Sequence, residues 1–331
     1  HHSYHFSFFF FFYLLKKDAP MTHQRIRRQL SSLLIIASLS ACNKPTTVGH
    51  NEKEKTTQDK KLHVIASFSI LGDIVQNIGG DRIQLTTLVG PEQDAHVYQP
   101  TPKDAQTIAT AQLIFTNGLG FEGWLDRLKS SAQYKGDAVV ASTGVQPLTL
   151  KEDGHVEDDP HAWQDISNVK NVYVKNILAG LVKADPSGAT YYQQRAKEYS
   201  QQLDALNTEY ETAFSKISDN ERKVVTSHDA FAYFGQHYNV KFLAPQGVST
   251  ESEASAKHVA QLIQQIKQEQ VKAIFVENIS NSKLLEQITK ETGAQIGGQL
   301  YSDALSIDTA PANTYLNMMK HNLHSLIKVM K

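Results

Sequence analysis

The order of apolar and polar positions predicts alternating strands and helices from Leu62 to the end of the chain. Short apolar runs typical of buried strands lie at residues 62–67, 82–90, 111–118, 137–142, 222–227, 240–245, 271–277 and 294–300. Segments with apolar residues at helical spacing lie at residues 69–80, 102–111, 254–268 and 281–293. Because strands that alternate with helices form parallel sheets, the pattern predicts an α/β fold with two βα lobes.

The middle of the chain has a helical pattern. Residues 167–185 carry apolar residues at helical spacing, Pro186 interrupts them, and residues 190–217 contain helix-forming residues without a turn signal. We therefore expect a long helical connector between the two lobes. The expected bounds are 62–165 for the N-terminal lobe, 166–220 for the connector and 221–331 for the C-terminal lobe.

The segment before the lobes resembles an export signal. Residues 21–41 contain three arginines, then the short apolar run LLIIASL, then small residues. The tetrad that ends at Cys42 resembles a bacterial lipobox, which predicts cleavage before Cys42 and a lipid on its thiol. A plain secretory signal with a chance cysteine is the alternative. Either interpretation places the protein outside the cytoplasm, and the first anchors it to a membrane on the periplasmic or extracellular side.

The residues on either side of this signal are not expected to contribute to the fold. Residues 42–61 are polar and lack an apolar period, which is typical of a flexible tether. Residues 1–20 precede a complete signal and are interpreted as an upstream extension or an artefact.

Composition excludes several function classes. The 331 residues suit two domains of ordinary size. The net charge of -1, from 33 basic and 34 acidic residues, gives no reason to expect a nucleic-acid partner. Cys42 is the single cysteine, so neither a disulfide framework nor a Cys-rich zinc site can form.

Side chains that can bind a metal follow several predicted strands. His96, His228 and Asp303 each come after a strand, and ligands of open α/β sheets bind outside the carboxyl ends of strands. His161 lies in DPHAW, between the first lobe and the connector. Three imidazoles and one carboxylate suit a tetrahedral zinc site and could also hold Mn²⁺. Taken singly, each histidine could equally be a surface residue, since no local motif such as HExxH is present.

Several segments together resemble the zinc/manganese ABC-transporter substrate-binding lipoproteins, the cluster 9 solute-binding proteins. They are HVYQPTPKD (96–104), NGLGFEGWLD (117–126), DPHAW (159–163), TSHDAF (226–231), GVSTESEASAK (247–257) and YSDALS (301–306). The resemblance covers roughly residues 62–331. It implies two lobes joined by a long, stiff helix, a metal site in the cleft, and delivery to a membrane permease with its ATPase. It also implies that His96, His161, His228 and Asp303 are the metal ligands.

The choice of metal depends on two features of this resemblance. His228 stands where many manganese members have Glu, and imidazole favours zinc over the harder manganese. Zinc members often carry a long His-rich loop before DPH, whereas the loop here is short, acidic and contains only His155. We expect zinc, with manganese as the competitor. Neutral imidazoles are required, so affinity is expected to drop as pH falls through about 6.

Two other function classes compete with transport. A zinc hydrolase usually has three protein ligands, a bound water and a general base. Four ligands can be named here without a base motif, so no enzyme is expected. A surface adhesin is the third possibility, but the sequence contains no adhesive repeat. We expect a monomer, with Asp94, Asp159, Asp229 and Glu277 as candidates to orient the imidazole rings.

Overall fold

The structure, a computed structural model, describes residues 60–152 and 154–330. The predictions for residues 1–20, for the signal at 21–41, for Cys42 and for nearly all of the tether lie outside these residues. Within the described ranges, no helix combines the length and the apolar character needed to cross a membrane.

The first lobe is a parallel sheet covered by helices. Its strands are β1 (Leu62–Phe68), β2 (Ile83–Val89), β3 (Leu113–Thr116) and β4 (Asp137–Val140), in the order β2-β1-β3-β4. Its helices are α1 (Ser69–Gly79), α2 (Pro102–Ala109) and α3 (Leu125–Ser131). α1 ends at Gly80, whose φ of 53° favours glycine. Thr101 and Asp104 form a capping box that begins α2 directly after the loop that carries His96.

A β-hairpin follows where the sequence pattern indicates only a loop. β5 (Thr149–Glu152) pairs antiparallel with β6 (His155–Asp158), with Gly154 at φ 84° in the turn. All described residues of β6 are exposed. The hairpin was not predicted because its two short strands carry only Leu150 and Val156 as apolar residues, which is too few to mark an apolar face.

The connector combines a short irregular helix with a long one. It consists of α4 (Ile166–Asn168), a π-helical turn (Val169–Tyr173), α5 (Val174–Ala184), a 3-10 turn (Pro186–Gly188) and α6 (Ala189–Phe214). α6 has 26 residues and is therefore about 39 Å long. Its buried positions recur every three or four residues: Tyr192, Ala196, Tyr199, Leu203, Leu206, Tyr210 and Phe214. Through this face α6 packs against both lobes.

The second lobe has the same topology as the first. Its strands are β7 (Lys223–Val225), β8 (Lys241–Leu243), β9 (Ala273–Glu277) and β10 (Gln295–Leu300). Their order is β8-β7-β9-β10, which matches β2-β1-β3-β4, and all pairs are parallel. Its helices are α7 (Ala232–Tyr238), α8 (Ala256–Gln268), α9 (Lys283–Thr292) and α10 (Tyr315–Val329). The predicted fold of two parallel-sheet lobes and a long helix is confirmed.

The largest apolar cluster of the described residues runs through both lobes and the connector, and each lobe has a smaller cluster of its own. The largest cluster includes Phe68 from the first lobe, Trp163 and Tyr210 from the connector region, and Phe234 and Tyr315 from the second lobe. Because the same cluster packs all three parts, the lobes are held together on the connector side, and the cleft between their strand ends is fixed by this packing.

Candidate metal centre

The four predicted ligand side chains meet in the cleft. His96 lies in the loop after β2, His228 shortly after β7, and Asp303 shortly after β10. His161 lies directly before the 3-10 turn Ala162–Gln164. Each side chain offers one atom, and these atoms all lie within 4.8 Å of one another. Two chain segments from each half of the protein therefore supply three imidazoles and one carboxylate to one point.

The distances within this cluster suit a single small cation. Asp303 Oδ2 lies 2.8 Å from His96 Nε2 and 3.1 Å from His228 Nε2. His161 Nε2 lies 3.3 Å from His96 Nε2 and 3.2 Å from His228 Nε2. Ligand atoms around a tetrahedral ion with bonds of about 2.0–2.1 Å are about 3.3 Å apart. The cluster therefore has the dimensions of a metal coordination shell.

Two buried carboxylates set the tautomers of two of the rings. Asp159 Oδ1 lies 2.7 Å from His161 Nδ1, and Glu277 Oε1 lies 2.6 Å from His228 Nδ1. Since an ionised carboxylate only accepts hydrogen bonds, each Nδ1 carries the proton and each Nε2 directs a lone pair at the centre. The Nε2 atoms of His161 and His228 are 3.2 Å apart, so their lone pairs repel each other. The arrangement therefore requires positive charge at its centre, either protons or a metal ion.

The pKa shifts of the buried groups also indicate that the cluster needs positive charge at its centre. Burial alone would lower the pKa of His161, but the carboxylates of Asp303 and Asp159 outweigh it and raise that pKa to about 9. Burial is likewise outweighed at His228, where Glu277 and Asp303 raise the pKa well above its usual value. At Asp303 the two imidazoles outweigh burial and hold the pKa well below its usual value. Protons therefore compete for the centre at a higher pH than the expected value of about 6.

His96 is held differently from the other two imidazoles. Its backbone N–H donates to Asp94 Oδ1 at 2.9 Å, and its ring packs edge-on against Phe121 at 4.8 Å between centroids. Within the described residues no carboxylate contacts its Nδ1. Its side chain is 4% exposed, whereas those of His161, His228 and Asp303 are 0% exposed. His96 also lines a cavity of about 400 Å³ between the lobes.

Three further side chains join the lobes around the cluster, and sequence reasoning did not identify them. Trp163 Nε1 and Gln164 Nε2 donate to the carbonyl of Ser302, next to Asp303, at 2.9 and 2.8 Å. The hydroxyl of Tyr233 donates to the carbonyl of Asp159 at 2.6 Å. The adjacency of Trp163 and Gln164 to His161 is the signal that could have singled them out.

The other residues predicted to lie near the metal have different positions relative to the cluster. Asp159 and Glu277 contact imidazole nitrogens as predicted, while Asp94 contacts the backbone of His96. The backbone N–H of Asp229 donates to the carbonyls of Gln246 and Gly247. His155 lies on the exposed strand β6 and is not a member of the cluster.

Comparisons with known proteins relate this geometry to metal transport. The sequence model of the family described as zinc-uptake complex component A, periplasmic (ZnuA) matches residues 64–329. The manganese-binding lipoprotein MntA of Halalkalibacterium halodurans is 33% identical over 277 residues, which cover 83% of this chain and 91% of MntA. The iron-binding protein YfeA of Yersinia pestis is 32% identical over 299 residues, which cover 90% of this chain and 95% of YfeA.

A solved structure has the same fold. The periplasmic zinc-binding protein TroA of Treponema pallidum superimposes with a TM-score of 0.77 at 32% identity, and the match covers 82% of this chain and 99% of TroA. Several further relatives are named for manganese. The names of the relatives thus include three metals, so they do not decide between them.

Proposed function

Since the chain belongs to the periplasmic zinc-uptake component A family and is a substrate-binding protein of a metal ABC transporter, we propose that its cargo is Zn²⁺. His96, His161, His228 and Asp303 bind the ion in the cleft. The observation that carries this proposal is the convergence of three imidazole nitrogens and a carboxylate within 4.8 Å. A divalent cation supplies the positive charge that the two opposed lone pairs require.

The preference for zinc rests on the composition of the shell. Three nitrogen ligands and one carboxylate suit zinc, whereas manganese is served better by oxygen ligands. His228 decides the balance, because a carboxylate at this position would give the shell two oxygen ligands. Manganese is the competing cargo, and the names of several relatives support it.

The shell supports carriage of the metal rather than catalysis. A catalytic zinc ion keeps a coordination position open for water. Four protein ligands fill a tetrahedral shell. Glu277 is one candidate for a general base, but its carboxylate already accepts from the backbone N–H groups of Ser227 and His228 and from His228 Nδ1. It is therefore committed to holding a ligand.

The rest of the transport system follows from the family and from the start of the chain. We propose that a lipid on Cys42 anchors the protein to a membrane on its outer side, and that residues 42–61 tether the lobes to this anchor. The protein delivers its ion, as a monomer, to a membrane permease driven by an ATPase. Relatives named as lipoproteins support the anchor.

Metal titration of the chain from residue 57 tests the cargo. We expect zinc to bind more tightly than manganese, and calcium to bind most weakly. His228→Glu should lower the ratio of zinc to manganese affinity by about tenfold or more. His155→Glu is the matched control, because His155 is exposed and outside the cluster. If zinc binds no better than calcium, the proposed site is wrong, and if His228→Glu leaves the ratio unchanged, the basis for zinc is wrong.

A further inference from the structure

One loop of the second lobe covers the solvent side of the cluster. This segment, residues 244–255 between β8 and α8, is called the cover loop here. Val248, Ser249 and Glu251 line the cavity of about 400 Å³ that reaches His96. On its other side, Thr250 and other residues of the loop line a second cavity, of about 480 Å³. The cover loop therefore lines both cavities, and one of them reaches His96.

The base of the cover loop is bound to the ligand segment of its own lobe. Gln246 forms a parallel bridge with His228, its N–H donates to the carbonyl of Ser227 at 3.3 Å, and its carbonyl accepts from the N–H of Asp229 at 3.1 Å. This base is fixed beside a ligand that is fully buried. The carbonyl of Gly247 also accepts from the N–H of Asp229 at 3.1 Å, so we expect any movement of the loop to lie beyond Gly247.

The outer part of the cover loop contacts the other lobe through a carboxylate that also holds a ligand. Thr250 Oγ1 donates to Asp94 Oδ2 at 2.5 Å, while Asp94 Oδ1 accepts from the backbone N–H of His96 at 2.9 Å. Both bonds are made to an ionisable carboxylate, and hydrogen bonds of this kind are stronger than neutral ones. The Asp94 side chain therefore links the backbone of His96 to the cover loop of the opposite lobe.

The metal has one exposed side from which to leave. His161, His228 and Asp303 are fully buried, and carboxylates hold both imidazoles from behind. His96 is the one ligand with an exposed fraction, and it faces the cavity beneath the cover loop. We expect the ion to exchange on this side, through the cavity that His96 and the cover loop line together.

We infer that Thr250 and Asp94 form a latch whose opening sets the rate at which the bound ion is released. Both are positioning residues: Thr250 holds the cover loop across the cleft, and Asp94 holds His96. This inference rests on the proposed function, since it requires an ion to be bound. Beyond the proposed function, the inference identifies opening of the latch as the step that limits release, and Thr250 and Asp94 as the side chains that control this step.

Stopped-flow release of zinc into an excess of chelator tests the latch. Thr250→Val keeps the shape of the side chain and removes the hydroxyl. We expect it to accelerate release by about tenfold or more, because a hydrogen bond to a carboxylate is lost. Thr250→Ser restores the donor and should return the rate to within about threefold of wild type. Ser252→Ala, an exposed position in the same loop, is the control and should leave the rate unchanged.

A double-mutant cycle separates the latch from a general loosening of the loop. Asp94→Ala should accelerate release, and Thr250→Val should add less than about twofold in that background, because its partner is absent. Additive effects, or a release rate for Thr250→Val within twofold of wild type while zinc still binds, would overturn the latch. A wild-type protein that binds no transition metal would instead overturn the proposed function.

Discussion

His228 and His96 present the same atom to the same carboxylate from opposite lobes, yet their surroundings differ. Glu277 binds both the ring and the backbone of His228, at 2.6 and 2.8 Å, and no part of the side chain is exposed. His96 is held through its backbone by Asp94 and through its ring by the edge of Phe121. We therefore expect the buried side of the site to be formed before an ion binds, and His96 to complete the site.

From this difference we expect that the affinity for the ion and the rate of its exchange depend on different residues. Carboxylates behind His161 and His228 fix the two rings so that their Nε2 lone pairs face each other. Because the lone pairs repel, this arrangement favours a bound cation. An imidazole without such a partner can rotate away at less cost. The three predictions below test this division, beginning with the largest expected effect.

The carboxylate behind His228 should matter more than the carboxylate beside His96. Glu277→Gln can place an amide N–H against His228 Nδ1, which moves the ring proton to Nε2 and removes a ligand lone pair. We expect zinc affinity to fall by about 100-fold, within the range seen when groups that orient metal ligands are changed. Asp94→Asn is the comparison and should cost about tenfold or less. Calorimetric titration measures both, and equal losses would show that the two sides of the site are alike.

The buried side should also hold a proton when the metal is absent. The pKa of His161 in the folded protein is about 9, against 6.5 for the free side chain. The stability that this shift contributes is fully present below pH about 6.5 and is lost as pH rises through about 9. Zinc affinity changes in the opposite direction, because the ion needs neutral imidazoles.

Thermal denaturation between pH 6 and 9 measures this effect. The melting temperatures with chelator and with excess zinc should move apart as pH rises. Asp159→Asn removes one carboxylate that raises the pKa of His161, so it should weaken the pH dependence of the metal-free protein. Two curves that remain parallel over this range would contradict the assignment of a proton to the cluster.

The aromatic contact on His96 should have the smallest effect. Phe121→Leu removes a ring that packs edge-on against His96 at 4.8 Å, and such contacts contribute about 0.5–1.5 kcal/mol. Zinc affinity should fall by about threefold to tenfold. Phe231→Leu, which removes a ring stacked on Phe242, is the control and should lower the melting temperature without changing affinity. If both variants lose affinity equally, Phe121 acts through general stability.

The sequence pattern was sufficient for the repetitive parts of the fold. The strands of both sheets follow from short apolar runs, and the long helix α6 follows from helix-forming residues without a turn signal. The hairpin β5–β6 could not be predicted in this way, since its strands are short and mostly polar and all described residues of β6 are exposed. Helices α3 and α7 were also not predicted, because seven residues give too short a period.

The candidate site, too, could be predicted from the sequence only in part. Strand ends and family motifs were enough to predict that His96, His161, His228 and Asp303 lie together. The roles of Trp163, Gln164 and Tyr233 depend on which backbone carbonyls lie opposite them across the cleft. Such contacts join segments far apart in sequence, so no local pattern encodes them. The identity of the metal stays a prediction, because the same donor set can accept zinc or manganese.

The shared apolar core has a thermodynamic consequence. Two lobes with separate cores would melt independently and give two heat-absorption peaks. Here Phe68, Trp163, Tyr210 and Tyr315 belong to one packed cluster that crosses the lobe boundary. Neither lobe can lose its packing without exposing part of the other's interior. We therefore expect the lobes to unfold as one cooperative unit, and an ion bound between them to raise a single transition temperature.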